Sequence, residues 1–226
     1  MRKVAIISDF DGTVSRRDVG HHFFGTFVAR RREWLALLDE WRLGLISSKE
    51  CLEKELSLVR ADRDDLDGFV DREGLDPYFN DFVDFSEQRG CELLIASDGL
   101  DYYIDRLLSR SGLGHLGVRA NRLVCDGPRL AAIEFPYHDA MNCTRCGNCK
   151  RWHLEELRRA GFAVVYVGNG YSDRCPAEHA DLVFAKGELI DHCRERRLEY
   201  VAFENFRDVE RVLTTRFILH SGNVSL

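Results

Sequence analysis

Four short apolar runs recur along the chain, at Val4–Ser8, Leu93–Ser97, Val164–Gly168 and Leu182–Ala185. None alternates apolar with polar positions, so each reads as a strand buried on both faces, as in a parallel sheet. Between them the spacing changes to that of helices. Leu100, Tyr103, Ile104, Leu107 and Leu108 fall at i, i+3, i+4, i+7 and i+8, with Gly112 placed to end the helix. A second helix is expected from Lys150 to Ala160, closed by Gly161. Strand, turn, helix and strand in this order predict an α/β fold, a doubly wound parallel Rossmann-like sheet.

The interval between the first two runs is too long for one crossover and too long for a structureless loop. It carries helical patterns of its own. Trp34, Leu37, Leu38 and Trp41 form one apolar stripe and Phe79, Phe82, Val83 and Phe85 another, with breaks at Gly44 and over Gly74–Pro77. An inserted helical cap domain is expected over 16–85, on a core formed by 1–15 and 86–226. Such an insert is suited to act as a lid. From Val118 to Tyr137 two short runs flank Asp126-Gly127, a turn signal that predicts a small β-hairpin elaborating the core.

Composition narrows the picture. With 45% hydrophobic and 31% charged residues and 4 prolines, the chain has the make-up of an ordinary globular protein. A formal net charge of −6 speaks against a nucleic-acid binder, which needs a basic face. No stretch approaches the roughly 20 apolar residues of a membrane span, and the first apolar run is too short for a signal peptide. A cytoplasmic setting is expected, and the 8 cysteines are therefore read as reduced thiols or metal ligands. Nothing in the sequence bears on oligomeric state.

The candidate chemistry lies where the strands end. Asp9 and Asp11 stand one residue apart after the first strand, followed by Gly12 and Thr13, and can divide the work of nucleophile and proton carrier. An acidic turn is the simpler alternative. Ser97-Asp98-Gly99 ends the second run and offers a hydroxyl and backbone N–H groups to an anion, or merely a helix cap. Lys150 opens a helix, where its charge opposes the helix dipole, which suits a phosphate contact as well as a surface lysine. Gly168-Asn169-Gly170-Tyr171-Ser172-Asp173 follows the third run, and Asn169 and Asp173 could complete oxygen ligation of Mg²⁺.

In this order the residues resemble the haloacid-dehalogenase superfamily of phosphatases, whose D-x-D-G-T, Ser/Thr, Lys and terminal acidic elements match Asp9 to Thr13, Ser97, Lys150 and Gly168 to Asp173. The helical insert and the Cys-rich run before Lys150 are similar to its phosphoserine-phosphatase-like branch, and most of all to the enol-phosphate phosphatases of methionine salvage. The resemblance implies that Asp9 attacks phosphorus, that Asp11 protonates the leaving oxygen and later deprotonates water, and that Thr13, Ser97 and Lys150 hold the phosphoryl oxygens. It further implies Mg²⁺ bound by Asp9, the Asp11 carbonyl and the Asn169–Asp173 element, and a small phosphorylated metabolite as substrate. A phosphotransferase or mutase on the same scaffold, or a non-catalytic metal-binding relative, is the alternative.

Three features stand apart. Asn169 occupies a position where the family usually has Asp, which removes one negative charge from the metal site. Cys143, Cys146 and Cys149 form two overlapping C-x-x-C units that could hold Zn²⁺ with Cys125, His138, His153 or Cys175 as fourth ligand, or pack as free thiols. Arg16, Arg17, Asp18, His21 and His22 follow the first motif at the entrance to the cap and could meet the substrate.

Overall fold

Ile6 and Ile7 are both fully buried although they point to opposite faces of the first strand, so that strand has no solvent side and must lie inside a covered sheet. The computed structural model describes residues 3–220. The chain runs through β1 (Val4–Ser8), a tight turn over Phe10–Val14, α1 (Val19–Phe27), α2 (Arg31–Arg42), α3 (Ser48–Leu58), α4 (Arg63–Val70) and α5 (Phe79–Gln88). It continues as β2 (Glu92–Leu100), α6 (Asp101–Arg110), β3 (Gly117–Asp126), β4 (Arg129–Glu134), α7 (Lys150–Arg159), β5 (Ala163–Gly168), α8 (Arg174–Ala177), β6 (Leu182–Ala185), α9 (Glu188–Arg196), β7 (Val201–Ala202) and α10 (Phe206–His220).

The strands form one sheet in the order β4-β3-β2-β1-β5-β6-β7. All pairs are parallel except β3 with β4. β1 therefore sits at the point where the strand order reverses, the place where doubly wound sheets open a crevice beyond the strand ends. Ile6, Ile95, Val165 and Phe184 pack on one face of the sheet. Ile7, Tyr166 and Val183 pack on the other with Leu154 of α7 and Leu189 of α9. The doubly wound parallel sheet is thus as expected. The hairpin also forms, turning at Gly127 with φ +57, but β3 pairs with β2 through Leu94 and Gly117 and so extends the main sheet.

α1 to α4 make up the helical insertion. α3 and α4 each open on a capping box, Ser47 with Glu50 and Asp62 with Asp65, which satisfies their first free N–H groups. The chain enters and leaves the insertion side by side: Ser15 and Leu75 form an antiparallel bridge, and the Arg16 N–H donates to the Gly74 carbonyl at 2.9 Å. α5 belongs with the sheet, since Phe79 and Phe82 lie 4.8 and 4.9 Å from Phe206 of α10. The expected boundary at 85/86 consequently falls inside α5, while residues 1–2 and 221–226 of the expected core lie outside the described residues. Among the described residues, no helix is long and apolar enough to cross a membrane.

Candidate active site

The carboxyl edge of β1 turns sharply rather than running on into a helix. The Asp9 N–H still donates to the Val167 carbonyl of β5 at 2.9 Å, and the chain then folds back through Gly12 at φ +70. Ser15 Oγ accepts the Gly12 N–H at 3.0 Å and fixes this turn. Any side chain at position 12 would meet the left-handed backbone penalty and would also place a Cβ 2.6 Å from the Asn169 amide.

Lys150, expected at the head of a helix, is 2% exposed and lies beneath Asp9. Its Nζ donates to Asp9 Oδ1 at 2.6 Å, Asp173 Oδ1 at 2.7 Å and Ser172 Oγ at 3.0 Å, which uses all three of its protons. Burial alone would push the ammonium down, but Asp173 and Asp9 outweigh it and hold its pKa above the ordinary value. Burial, together with Asp173, pushes the Asp9 carboxyl up while Lys150 pulls it down. Asp9 keeps Oδ2 without a protein partner among the described residues, so one oxygen is held and the other can face a ligand.

Asp11 is fixed differently. Its Oδ1 accepts the N–H groups of Val19 and Gly20 at 3.0 and 3.1 Å, at the open start of α1, and its Oδ2 accepts the Tyr103 hydroxyl at 2.7 Å. Ser97 Oγ lies 3.3 Å from the same oxygen. Burial, then the charge of Asp18, raise its pKa to about 7, against the hydrogen bonds from Tyr103 and Gly20. A carboxyl poised there can give and take a proton near neutrality.

Asp9, Asp11, Ser97 and Asn169 line one cavity of about 170 Å³ whose opposite wall is the cap, with Phe24, Trp41, Leu52 and Glu55. Asp18 and His21 line it too, whereas His22 turns away to Glu73 at 2.8 Å and Arg16 is spent on the Leu75 carbonyl at 2.9 Å. Arg17 likewise pairs with Glu73, at 3.5 Å.

Several expected site residues have other duties. Asp98 accepts the Asn148 N–H at 2.7 Å, so its carboxylate fastens the loop that precedes Lys150 and is unsuited to a phosphate. Gly99 serves by its size, because a Cβ there would collide with the Tyr103 hydroxyl and Asp11. Thr13 is fully buried, its hydroxyl has no partner among the described residues, and it does not line the cavity. Asp173 is consumed by Lys150, by Tyr166 at 2.6 Å and by the N–H groups of Asn169 and Gly170 at 2.8 and 2.9 Å, which leaves it no free lone pair aimed at a metal. The hard oxygen donors left are Asp9 Oδ2, the Asp11 main-chain carbonyl and the Asn169 amide. That set suits Mg²⁺, whose remaining ligands would be water and a phosphate oxygen.

No three His, Cys, Asp or Glu side chains among the described residues converge to hold a metal, and the expected zinc site is not formed. Burial raises the Cys146 and Cys149 thiols, away from the thiolate that zinc requires. His153 is spent on Asn148 Oδ1 at 2.7 Å and burial lowers its pKa to about 3.

Tyr103, Asn148, Tyr166 and Glu55 are missing from the residues singled out in the sequence. Tyr103 falls in the apolar stripe of α6, and its hydroxyl, alone in that aliphatic set, is the sequence signal of a polar partner. Asn148 stands two residues before Lys150 and ties its loop to the Ser97 and Arg119 carbonyls at 2.8 and 2.7 Å. Tyr166 and Glu55 carry no local signal.

Comparison with known proteins follows the same lines. A model of the haloacid dehalogenase-like hydrolases matches residues 6–178. A 2-hydroxy-3-keto-5-methylthiopentenyl-1-phosphate phosphatase of Brevibacillus brevis is 30% identical over 215 residues, covering 94% of this chain and 96% of that one. A protein of the same name from Geobacillus kaustophilus is also 30% identical over 215 residues, covering 92% and 94%. Among solved structures, a phosphoserine phosphatase with an analogue of its phospho-aspartyl intermediate superposes with a TM-score of 0.72 at 18% identity, over 94% of this chain and 99% of that one, a likeness of fold.

Proposed function

The chain belongs to the haloacid dehalogenase-like hydrolase family, and on that premise we propose that it is a phosphatase that cleaves a small phosphorylated metabolite of the cytoplasm through an aspartyl-phosphate. The observation that carries this reading is the unequal treatment of two neighbouring aspartates. Asp9 is clamped through one oxygen by a buried ammonium, and Asp11 is held at a pKa of about 7 by burial.

On this reading the Asp9 carboxylate attacks phosphorus and the ester oxygen departs with the proton carried by Asp11. Asp11, now ionised, takes a proton from a water that attacks the aspartyl-phosphate, which releases phosphate and returns both carboxyls to their starting states. Lys150 offsets the repulsion between the Asp9 carboxylate and the phosphoryl oxygens, and Ser97 Oγ lies within reach of them. Mg²⁺, held by Asp9 Oδ2, the Asp11 carbonyl and Asn169, would neutralise charge on the phosphoryl group. With an amide at 169 in place of a carboxylate, that ion is bound with one fewer charge.

The cap wall, with Phe24, Trp41 and Leu52, supports an uncharged, largely apolar leaving group. The Brevibacillus and Geobacillus relatives, named for the enol-phosphate of a methylthio ketone, make that compound the first candidate. The test is hydrolysis of a panel containing it, phosphoserine and an activated aryl phosphate, with free phosphate measured so that transfer to an alcohol is recognised. Activity is expected to fall at least about 10⁴-fold in Asp9→Asn; a folded variant that keeps activity would overturn the reading.

A further inference from the structure

The cap wall of the cavity carries two carboxyl groups, Asp18 and Glu55, and among the described residues no lysine or arginine lines it. The phosphoryl chemistry uses Asp9, Asp11 and Lys150 and has no task for Glu55. Yet Glu55, on α3, is 4% exposed and faces the same cavity. Its Oε1 accepts the Trp34 Nε1–H at 2.6 Å, which fixes its position against α2. A buried carboxyl whose only partners are neutral, here the Trp34 indole and the Cys51 thiol, is costly for a fold and persists where it meets a ligand.

From this arrangement we infer that Glu55 is a specificity-determining residue, which turns away phosphoesters whose leaving group carries a negative charge and reserves the cavity for neutral or cationic ones. The inference rests on the phosphatase reading. Within the cavity a substrate carboxylate would lie in a shared low-dielectric space with Asp18 and Glu55 and with no cation lining it, while the charge of Lys150 lies behind Asp9 at the phosphate end. Trp34 cannot relieve the repulsion, because its only polar hydrogen is already donated to Glu55.

The groups around Glu55 make the effect depend on pH in a defined way. Burial raises Glu55 to about 7, with Asp18 adding to the rise and the Trp34 N–H opposing it. Cys51, one turn earlier on α3, is raised far above neutrality by burial and stays a thiol. His21 on α1, tilted at 44° against the Trp34 ring with centroids 4.9 Å apart, is lowered by burial and then by Arg42 and Arg31, so it gains no charge on the alkaline side. Asp18 is also raised by burial. Between pH 6 and 8 the wall therefore becomes more negative.

The experiment compares kcat/KM for glycerol 3-phosphate and 3-phosphoglycerate, which differ by a hydroxymethyl against a carboxylate, at pH 6 and pH 8. Ionisation of the phosphate and of Asp11 affects both and cancels in the ratio. The expected ratio favours glycerol 3-phosphate at least tenfold, widens toward pH 8, and in Glu55→Gln shrinks at least tenfold and becomes less dependent on pH. Should both turn over too slowly, the same ratio is read from their inhibition constants against aryl phosphate hydrolysis. A wild-type ratio near one, or a folded Glu55→Gln protein with the ratio and pH trend unchanged, overturns the inference. The wild-type pH trend requires no variant. Absence of any aryl phosphate hydrolysis would instead overturn the phosphatase reading.

Discussion

On the floor of the cavity the charged groups are matched to one another: Lys150 lies between Asp9 and Asp173, and Asp173 is further held by Tyr166 and two backbone N–H groups. On the roof, Glu55 has the indole N–H of Trp34 and a thiol for company. Both carboxyl sets are buried, but only the first is compensated. A compensated cluster is a fixed framework, because removing any member leaves an uncompensated buried charge. An uncompensated carboxyl can be exchanged at little cost, or at a gain. The floor thus suits a step common to many substrates, and the roof suits the choice among them.

The contrast breaks most visibly at Lys150. Lys150→Met strands Asp9 and Asp173 as buried like charges, so stability is expected to fall by about 3–5 kcal/mol in urea titration, with hydrolysis lost by about 10³-fold or more. A variant as stable as the parent would show that the floor is not an interlocked cluster.

Glu55→Gln should behave in the opposite sense. A carboxyl whose folded pKa is raised to about 7 from 4.5 contributes stability that is complete below about 4.5 and is lost as pH rises through 7. The parent should therefore lose on the order of 3 kcal/mol more than the variant between pH 4.5 and pH 8. Parallel urea midpoints for the two proteins across that range would contradict the assignment of Glu55 as uncompensated.

The smallest effect sharpens the boundary between floor and roof. Tyr103→Phe removes a hydrogen bond that favours the Asp11 carboxylate, so the alkaline limb of the kcat/KM profile should move upward by about one pH unit. A downward or absent shift would mean that Asp11 is not the proton donor.

How far these features could be read from the chain depends on whether their cause is local. β1, β5 and β6 are strands because their aliphatic runs are continuous, and Gly112, Gly127 and Gly161 mark the end of α6, the tip of the β3–β4 hairpin and the end of α7, with φ of +77, +57 and +91. Asp9, Asp11 and Lys150 were legible because each follows a strand or opens a helix at the same sheet edge, and Ser97 because it ends an apolar run, although β2 continues past it to Leu100. The two-residue β7 was not, being too short to leave a period. Nor was the allegiance of α5, whose Phe79 and Phe82 fit a cap stripe and are claimed by Phe206 far along the chain. The carboxylate of Asp173 reads in sequence as a metal ligand because its partners do not show there; Lys150 and Tyr166 take it first. The cysteine spacing suggested zinc, yet the spacing of three thiols does not set the direction in which each points.

The central claim is that Asp9 becomes phosphorylated, and Asp11→Asn allows it to be caught. An activated aryl phosphate needs little help to leave, so Asp9 should still attack it, while water is left without its base. Mixed rapidly and quenched in acid, that variant is predicted to release about one aryl alcohol per active site in a burst and to carry one phosphoryl group on the peptide containing Asp9. Steady release without a burst and without bound phosphoryl, or a phosphoryl group on any other residue, would contradict the account.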